Sequence, residues 1–226
     1  MSDEAIISVK NLNISHESGS ILSNVNFNIS KGEFVYLIGK SGAGKTSLLR
    51  TLYADRPIDS GEVTVCGFDV ANIRKRDVPM LRRKIGMAFQ NFQLLYDRNV
   101  YDNLYFVLRA TGWKDKKAID GRIMEVLQDV GLIEKATAHP VHLSEGERQR
   151  IGIARALINN PDLILADEPT GNLDPITSTE IMRLLTDINK KSGVTMLISS
   201  HDFMTIRDFP AKVLICEDGH LNWGEQ

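Results

Sequence analysis

Apolar and polar positions change their spacing along the chain, and the changes divide it. Over the first ninety residues, short apolar runs are broken by turn residues. Ile6–Val9, Val25–Ile29, Phe34–Ile38 and Gly61–Cys66 read as strands. Between Asn91 and His142 apolar residues recur at three and four positions, most clearly over Val100–Thr111 and Lys117–Val130, which is the spacing of one helix face. Continuous apolar runs then return at Leu163–Ala166, Thr195–Ser199 and Val213–Cys216, and helices over Glu147–Asn159 and Pro175–Lys191 precede the first two. Wholly apolar strands alternating with helices predict an α/β fold with a parallel sheet covered on both faces. One helix has legible ends. Asp174 suits an N-cap and Pro175 the first helical position, where its missing N–H costs nothing. Lys190 and Lys191 favour the negative end of the helix dipole, and Gly193 can close the turn.

Composition narrows the class. With 226 residues, 42% hydrophobic and 25% charged, the chain can bury a core as one compact unit or two tightly joined lobes. A net charge of −2 argues against a protein that grips nucleic-acid backbone. Two cysteines, Cys66 and Cys216, form no CxxC pair, so neither a disulfide framework nor a zinc site is expected, and a reducing cytoplasm suits them. The acidic start, Met1-Ser2-Asp3-Glu4, lacks the layout of a secretion signal. No apolar run approaches the ~18 residues that span a bilayer. The expectation is a soluble chain with no membrane span of its own, held at any membrane by another protein.

Candidate chemistry begins with Gly39, Lys40, Ser41, Gly42, Ala43, Gly44, Lys45 and Thr46, followed by Ser47. These match GxxxxGK and a hydroxyl residue at every fixed position, after the apolar strand Phe34–Ile38 and before the helical pattern Thr46–Leu52. Glycines let successive backbone N–H groups face one anion, and the following helix N-terminus adds partial positive charge. Lys45 is placed to reach the β- and γ-phosphates of a nucleotide, and the Thr46 hydroxyl to ligate Mg²⁺. The second candidate is Leu163-Ile164-Leu165-Ala166-Asp167-Glu168, an apolar strand ending in two carboxylates. Asp167 can hold the metal through water, and Glu168 can orient and polarise the attacking water.

Further along lies Leu143-Ser144-Glu145-Gly146-Glu147-Arg148-Gln149-Arg150, which resembles the LSGGQ signature of ATP-binding cassette (ABC) ATPases. Other motifs of that family stand in order: Gln90 resembles the Q-loop glutamine, Gly171-Asn172-Leu173-Asp174 the D-loop, and His201 the switch histidine. The resemblance covers essentially the whole chain. It implies a P-loop NTPase ABC cassette with a RecA-like core sheet, a small antiparallel β subdomain and a helical subdomain. Residues 1–226 would form a single ATPase domain, with approximately 1–90 and 143–226 as the core and 91–142 as the helical part. It also implies ATP and Mg²⁺ as ligands, Gln90 and Asp167 beside the metal with Thr46, and Glu168, His201 and Gln90 in hydrolysis. Two copies would sandwich ATP head to tail, Ser144 and Gly146 of one closing on the phosphate loop of the other.

Two places depart from the family pattern. Glu145 stands for the first signature glycine, and a carboxylate near a triphosphate is unfavourable. We expect that side chain to turn away and hydrolysis to be slow without a partner. Glu147 stands for the usual glutamine, where Ser144-x-x-Glu147 also spells a helix capping box. Where an aromatic residue usually stacks on adenine the chain has His16, a candidate for base stacking or a plain loop histidine. Asp174 is explained as an N-cap; its intersubunit role is implied by the resemblance alone.

Within the family, Val78–Met87, Asp97–Asn103 and Glu168–Asp174 resemble cassettes of the bacterial cell-division FtsE type. That resemblance implies an FtsX-like integral membrane partner, a place on the cytoplasmic face of the inner membrane at the division septum, and ATP-driven regulation of cell-wall hydrolysis. Glu168–Asp174 is shared with cassettes of lipoprotein release and macrolide export, the alternative reading. Soluble ABC ATPases acting on DNA or ribosomes usually carry coiled-coil insertions or tandem cassettes, for which 226 residues leave no room.

Overall fold

The computed structural model describes residues 4–16 and 19–224. Two long strands, β1 (Ala5–His16) and β2 (Gly19–Ser30), open the chain where shorter strands were expected. Asn11 and Asn24 take left-handed backbone (φ 49° and 50°), a conformation asparagine tolerates better than most residues, and the ladder shifts register between Val9 and Leu12. Side chains repair the break: Asn26 Oδ1 accepts the Asn11 N–H at 2.9 Å, and Asn13 Oδ1 accepts that of Asn24 at 2.9 Å. The strands therefore continue through irregularities that read as turns in the sequence.

Strand β3 (Phe34–Ile38) leads into α1 (Lys45–Leu52). Then come β4 (Ser60–Val65), β5 (Phe68–Asp69), α2 (Val78–Arg83) and β6 (Ile85–Phe89). The helical stretch holds α3 (Val100–Ala110) and α4 (Lys116–Asp129), and α5 (Glu145–Leu157) follows. Strand β7 (Leu163–Asp167), α6 (Pro175–Ser192), β8 (Thr195–Ser200), α7 (Phe203–Asp208), β9 (Lys212–Glu217) and β10 (His220–Trp223) complete the order. Asp174 caps α6 by accepting the Ile176 and Thr177 N–H groups, and Gly193 ends it in left-handed backbone, as the sequence predicts.

Six strands pair in the order β10-β9-β3-β8-β7-β6, and every pairing except β10 with β9 is parallel. Strand alternation sorts the buried residues. Tyr36, Ile38, Ile164, Ala166, Met196 and Ile198 pack with residues of α3, α4, α5 and α6. Val35, Leu37, Leu163, Leu165 and Leu197 face the other way, onto α1 and a four-stranded sheet of order β2-β1-β4-β5. Both faces are covered, as the apolar strands require, but one cover is largely an antiparallel sheet rather than helices.

Capped ends and cross-links order the helical stretch and tie it to α5. Asn99 accepts the Asp102 N–H at 2.7 Å to start α3. Asn103 is buried, accepts from Leu95 N–H and donates to the Leu95, Arg98 and Asn99 carbonyls, which pins the loop before α3. Arg122 of α4 donates to the Leu157 and Ile158 carbonyls at 2.7 and 3.0 Å, closing the end of α5.

Candidate nucleotide and hydrolysis site

Sheet register assembles the site. β3 pairs with β8 so that Ile38 lies opposite Ser200, and β8 pairs with β7 so that Ser199 lies opposite Asp167. The residues that follow these strand ends therefore emerge at one edge: the phosphate loop after β3, Glu168 after β7 and His201 after β8. The carboxyl edge of a parallel sheet is where α/β folds hold ligands. A cleft of about 380 Å³ there is lined by Ser41, Gly42, Gly44, Lys45, Thr46, Ser47, Gln90, Asp167 and Glu168, with Ile21 at its side.

The loop is shaped by its glycines. Gly44 has φ 106°, and a Cβ there would come within 2.9 Å of Ile21 Cγ2, so only glycine fits. Lys45 is 5% exposed; its Nζ donates to the Gly39 and Lys40 carbonyls at 2.7 and 3.2 Å and lies 3.4 Å from Glu168 Oε1. That contact is a bridge across the cleft between the cationic and anionic sides of the site.

The Thr46 hydroxyl donates to Asp167 Oδ2 at 2.9 Å. Glu168 turns out of the strand with φ 47°, a left-handed conformation uncommon for a residue with a side chain and often found at functional sites. Its Oε2 lies 3.2 Å from His201 Nδ1, so Glu168 stands between Lys45 and His201. Gln90, just beyond β6, donates to Asn172 Oδ1 at 3.3 Å, tying its loop to the segment after the acidic pair.

Other expected residues lie elsewhere. Ser144 and Gly146 do not line the phosphate cleft of their own chain. Ser144 caps α5: its hydroxyl accepts the Glu147 N–H at 3.2 Å, and Glu147 Oε2 accepts the Ser144 N–H at 2.8 Å. Of the two readings of Glu147, the capping box is realised. The Ser144 N–H, and after it Lys135 at 3.1 Å, holds the Glu147 carboxyl below its ordinary value of 4.5. A Cβ on Gly146 would come within 2.6 Å of Thr177 Cγ2, so packing on α6 already demands glycine there. Glu145 is exposed, 3.8 Å from Arg148. His16 is exposed at the end of β1, opposite Gly19.

Sequence reading missed two residues that support the site. Arg56 donates to the Ser15 carbonyl at 2.9 Å and to Ser47 Oγ at 3.4 Å, tying the strand end that carries His16 to the phosphate-loop helix. Ser199 donates to Asp167 Oδ1 at 2.7 Å and accepts the Glu168 N–H at 2.9 Å. Neither belongs to a motif, since Ser199 depends on β8 lying beside β7 and Arg56 on β1 ending beside α1.

The donor set suits a nucleotide with Mg²⁺. Among the described residues no group of three or more His, Cys, Asp or Glu side chains could hold a metal by itself. Of the hydroxyls and carboxylates that line the cleft, the paired Thr46 hydroxyl and Asp167 carboxylate are the set that suits it, since Mg²⁺ typically takes one or two protein oxygens, with phosphate oxygens and water completing its octahedron.

The sequence profile of the family described as ABC transporter matches residues 22–171. The chain belongs to the ABC transporter family. It is therefore an ATP-hydrolysing cassette. It is 42% identical to the cell division ATP-binding protein FtsE of Streptococcus pneumoniae, over 96% of this chain and 94% of that one. It is also 42% identical to the methionine import ATP-binding protein MetN of Carboxydothermus hydrogenoformans, over 96% of this chain and 65% of that one. Among solved structures, the ATP-binding cassette MJ0796, dimeric and bound to ADP and Pi in a post-hydrolysis state, has 33% identity and a TM-score of 0.87, over 97% of this chain and 98% of that one. The cassette's sheets and helices thus follow the family's fold.

Proposed function

We propose that this cassette is the ATPase subunit of an FtsE-type membrane complex, passing ATP-driven motion to an FtsX-like integral membrane protein and so regulating cell-wall hydrolysis in cell division. The observation that carries its chemistry is the meeting of Lys45, Thr46, Asp167, Glu168 and His201 at one sheet edge. Gly39 to Ser47 wrap the phosphates, and Lys45 offsets their charge. Bound Mg²⁺ would be held by Thr46, Asp167 and Gln90 and would supply charge neutralisation to the phosphates. Glu168 takes up the proton side of the attacking water, and His201, against Glu168, faces the same terminal phosphate.

The separation of Ser144 and Gly146 from the phosphate cleft supports a head-to-tail homodimer, in which a second copy brings the N-terminus of its α5 to the nucleotide. His16, at the strand end that Arg56 ties to α1, would be the residue to stack on the adenine. In this reading approximately 1–90 and 143–226 form the core, and approximately 91–142 the helical subdomain. No nucleic-acid partner belongs to this reading.

For the membrane partner, a cleft of about 550 Å³ between the sheet edge and α3 is lined by Pro79, Phe89, Leu95, Phe106 and Val107 among others. Exposed Met80, Tyr96 and Phe106 add apolar surface around it. No helix among the described residues is long and apolar enough to cross a membrane, so docking of this kind is the route by which the cassette would reach the cytoplasmic face and the septum. The partly buried Tyr101, by contrast, bonds Asp120 and stacks on Tyr105, which gives it a packing role.

The second reading is a solute-moving cassette of the lipoprotein-release or macrolide-export kind. Its motif set is the same, and the match to an import protein keeps transport in view. Copurification from detergent-solubilised membranes separates them. Recovery of an FtsX-like protein supports the proposal; recovery of a permease or a lipoprotein-binding membrane protein overturns it.

A further inference from the structure

Ser199 is fully buried on β8 and lies opposite Asp167 across the β7–β8 ladder. Paired residues of neighbouring strands leave the sheet on the same face, here the face toward α1, which carries Thr46. The Ser199 hydroxyl is used in both senses. It donates to Asp167 Oδ1 at 2.7 Å, and it accepts the Glu168 N–H at 2.9 Å. Asp167 Oδ2 receives the Thr46 hydroxyl at 2.9 Å. Each carboxylate oxygen of Asp167 thus has its own donor, one from β8 and one from α1, and the carboxylate cannot swing. The bond from Glu168 N–H acts on the residue whose backbone is left-handed (φ 47°) and holds that turn in place.

We infer that Ser199 is the positioning residue of the acidic pair, orienting Asp167 toward the magnesium position and setting the turn from which Glu168 reaches the attacking water. It is buried beneath the pair and does not line the phosphate cleft. An alanine here would leave the Glu168 N–H and Asp167 Oδ1, both partly buried, without this partner, and only a hydroxyl of this reach can donate to one and accept from the other. Residues that orient a metal-side carboxylate commonly govern metal affinity without touching the metal.

The inference rests on reading Asp167 as the magnesium-side carboxylate, and the experiment separates the two. Calorimetric binding of a non-hydrolysed ATP analogue is measured for the full chain with Mg²⁺ and with EDTA. The readout is the gain in affinity that Mg²⁺ brings. Ser199→Ala is expected to cut that gain about tenfold and to leave binding in EDTA within about twofold of the parent. Ser199→Thr, which keeps the hydroxyl, restores most of the gain. Should Ser199→Ala fail to fold by thermal unfolding, Ser199→Cys, with its weak donor, is read in the same way. An undiminished gain in the alanine variant, or equal losses in Ala and Thr, overturns the positioning role. Asp167→Asn is the control. If it abolishes the gain while Ser199→Ala does not, the inference about Ser199 alone fails. If Asp167→Asn also leaves the gain intact, the reading of Asp167 fails and the inference with it.

Discussion

Glu168 shows how single residues acquire their chemistry here. The peptide turns left-handed immediately after β7, and the side chain lands between Lys45 Nζ at 3.4 Å and His201 Nδ1 at 3.2 Å. A carboxylate between two such groups is held from both sides. Replacing it by glutamine keeps the shape and removes the proton acceptor. Glu168→Gln is expected to bind ATP normally and hydrolyse it about 10²–10⁴ times more slowly, as single-turnover phosphate release would measure; turnover at the parent rate would take Glu168 out of its role. The acidic pair was legible in the sequence because an apolar strand ends in two carboxylates. Ser199 was not legible, because a serine inside an apolar run carries no signal until β8 is laid beside β7.

At the scale of elements, α5 illustrates a signature segment that is also a structural device. The capping box satisfies the Ser144 and Glu147 N–H groups, two donors that the helix start would otherwise leave open. The Glu147 carboxyl is held below its ordinary value of 4.5 by the Ser144 N–H first and by Lys135 in addition. A carboxyl with a lowered folded value stabilises the fold above its unfolded value, and that contribution is lost as pH falls through the folded value. Glu147→Gln should therefore melt at a lower temperature than the parent near neutral pH, with the difference shrinking below about pH 4.5; a difference independent of pH would contradict the ionised cap. Elsewhere the element boundaries follow the periodicity closely. Helices α3, α4 and α6 start within one residue of the sequence reading because Asn99, Asp115 and Asp174 cap them. The short α2 and the full length of β1 and β2 escaped it. Six residues hold too few turns to show a helical period, and asparagine bulges break the alternation that marks a strand.

For the whole molecule the decisive feature is what one copy lacks. Its phosphate cleft contains the loop, the acidic pair and Gln90, while Ser144 and Gly146 stand outside it. In the proposed dimer, Glu145 would meet nucleotide only across the interface, where its carboxylate opposes the phosphates. Glu145→Gly is expected to leave ATP affinity of dilute protein unchanged and to hold or raise turnover at concentrations where dimers form. Sedimentation and steady-state ATPase assays over a protein dilution series check this; a fall in turnover would mean that Glu145 assists the site. The cleft beside α3, lined by apolar side chains together with Arg82, Arg83 and Arg155, adds a second surface by which the cassette would act on a larger assembly, and Phe106 is the exposed aromatic there.

The linear order of residues by itself determined the local devices: a glycine-rich loop between a strand and a helix, a strand ending in Asp167 and Glu168, caps at Asp174 and Ser144, and apolar strands needing cover on both faces. These are set by neighbours a few positions apart, which a reader of the chain can see. Only the tertiary structure decided that Lys45, Glu168 and His201 meet, that Ser199 and Arg56 support them, and that an antiparallel sheet rather than more helices closes one face of the core. Those outcomes depend on which segments meet and in what register, over separations that run from 32 residues for Ser199 with Asp167 to the far longer one of β3 with β8.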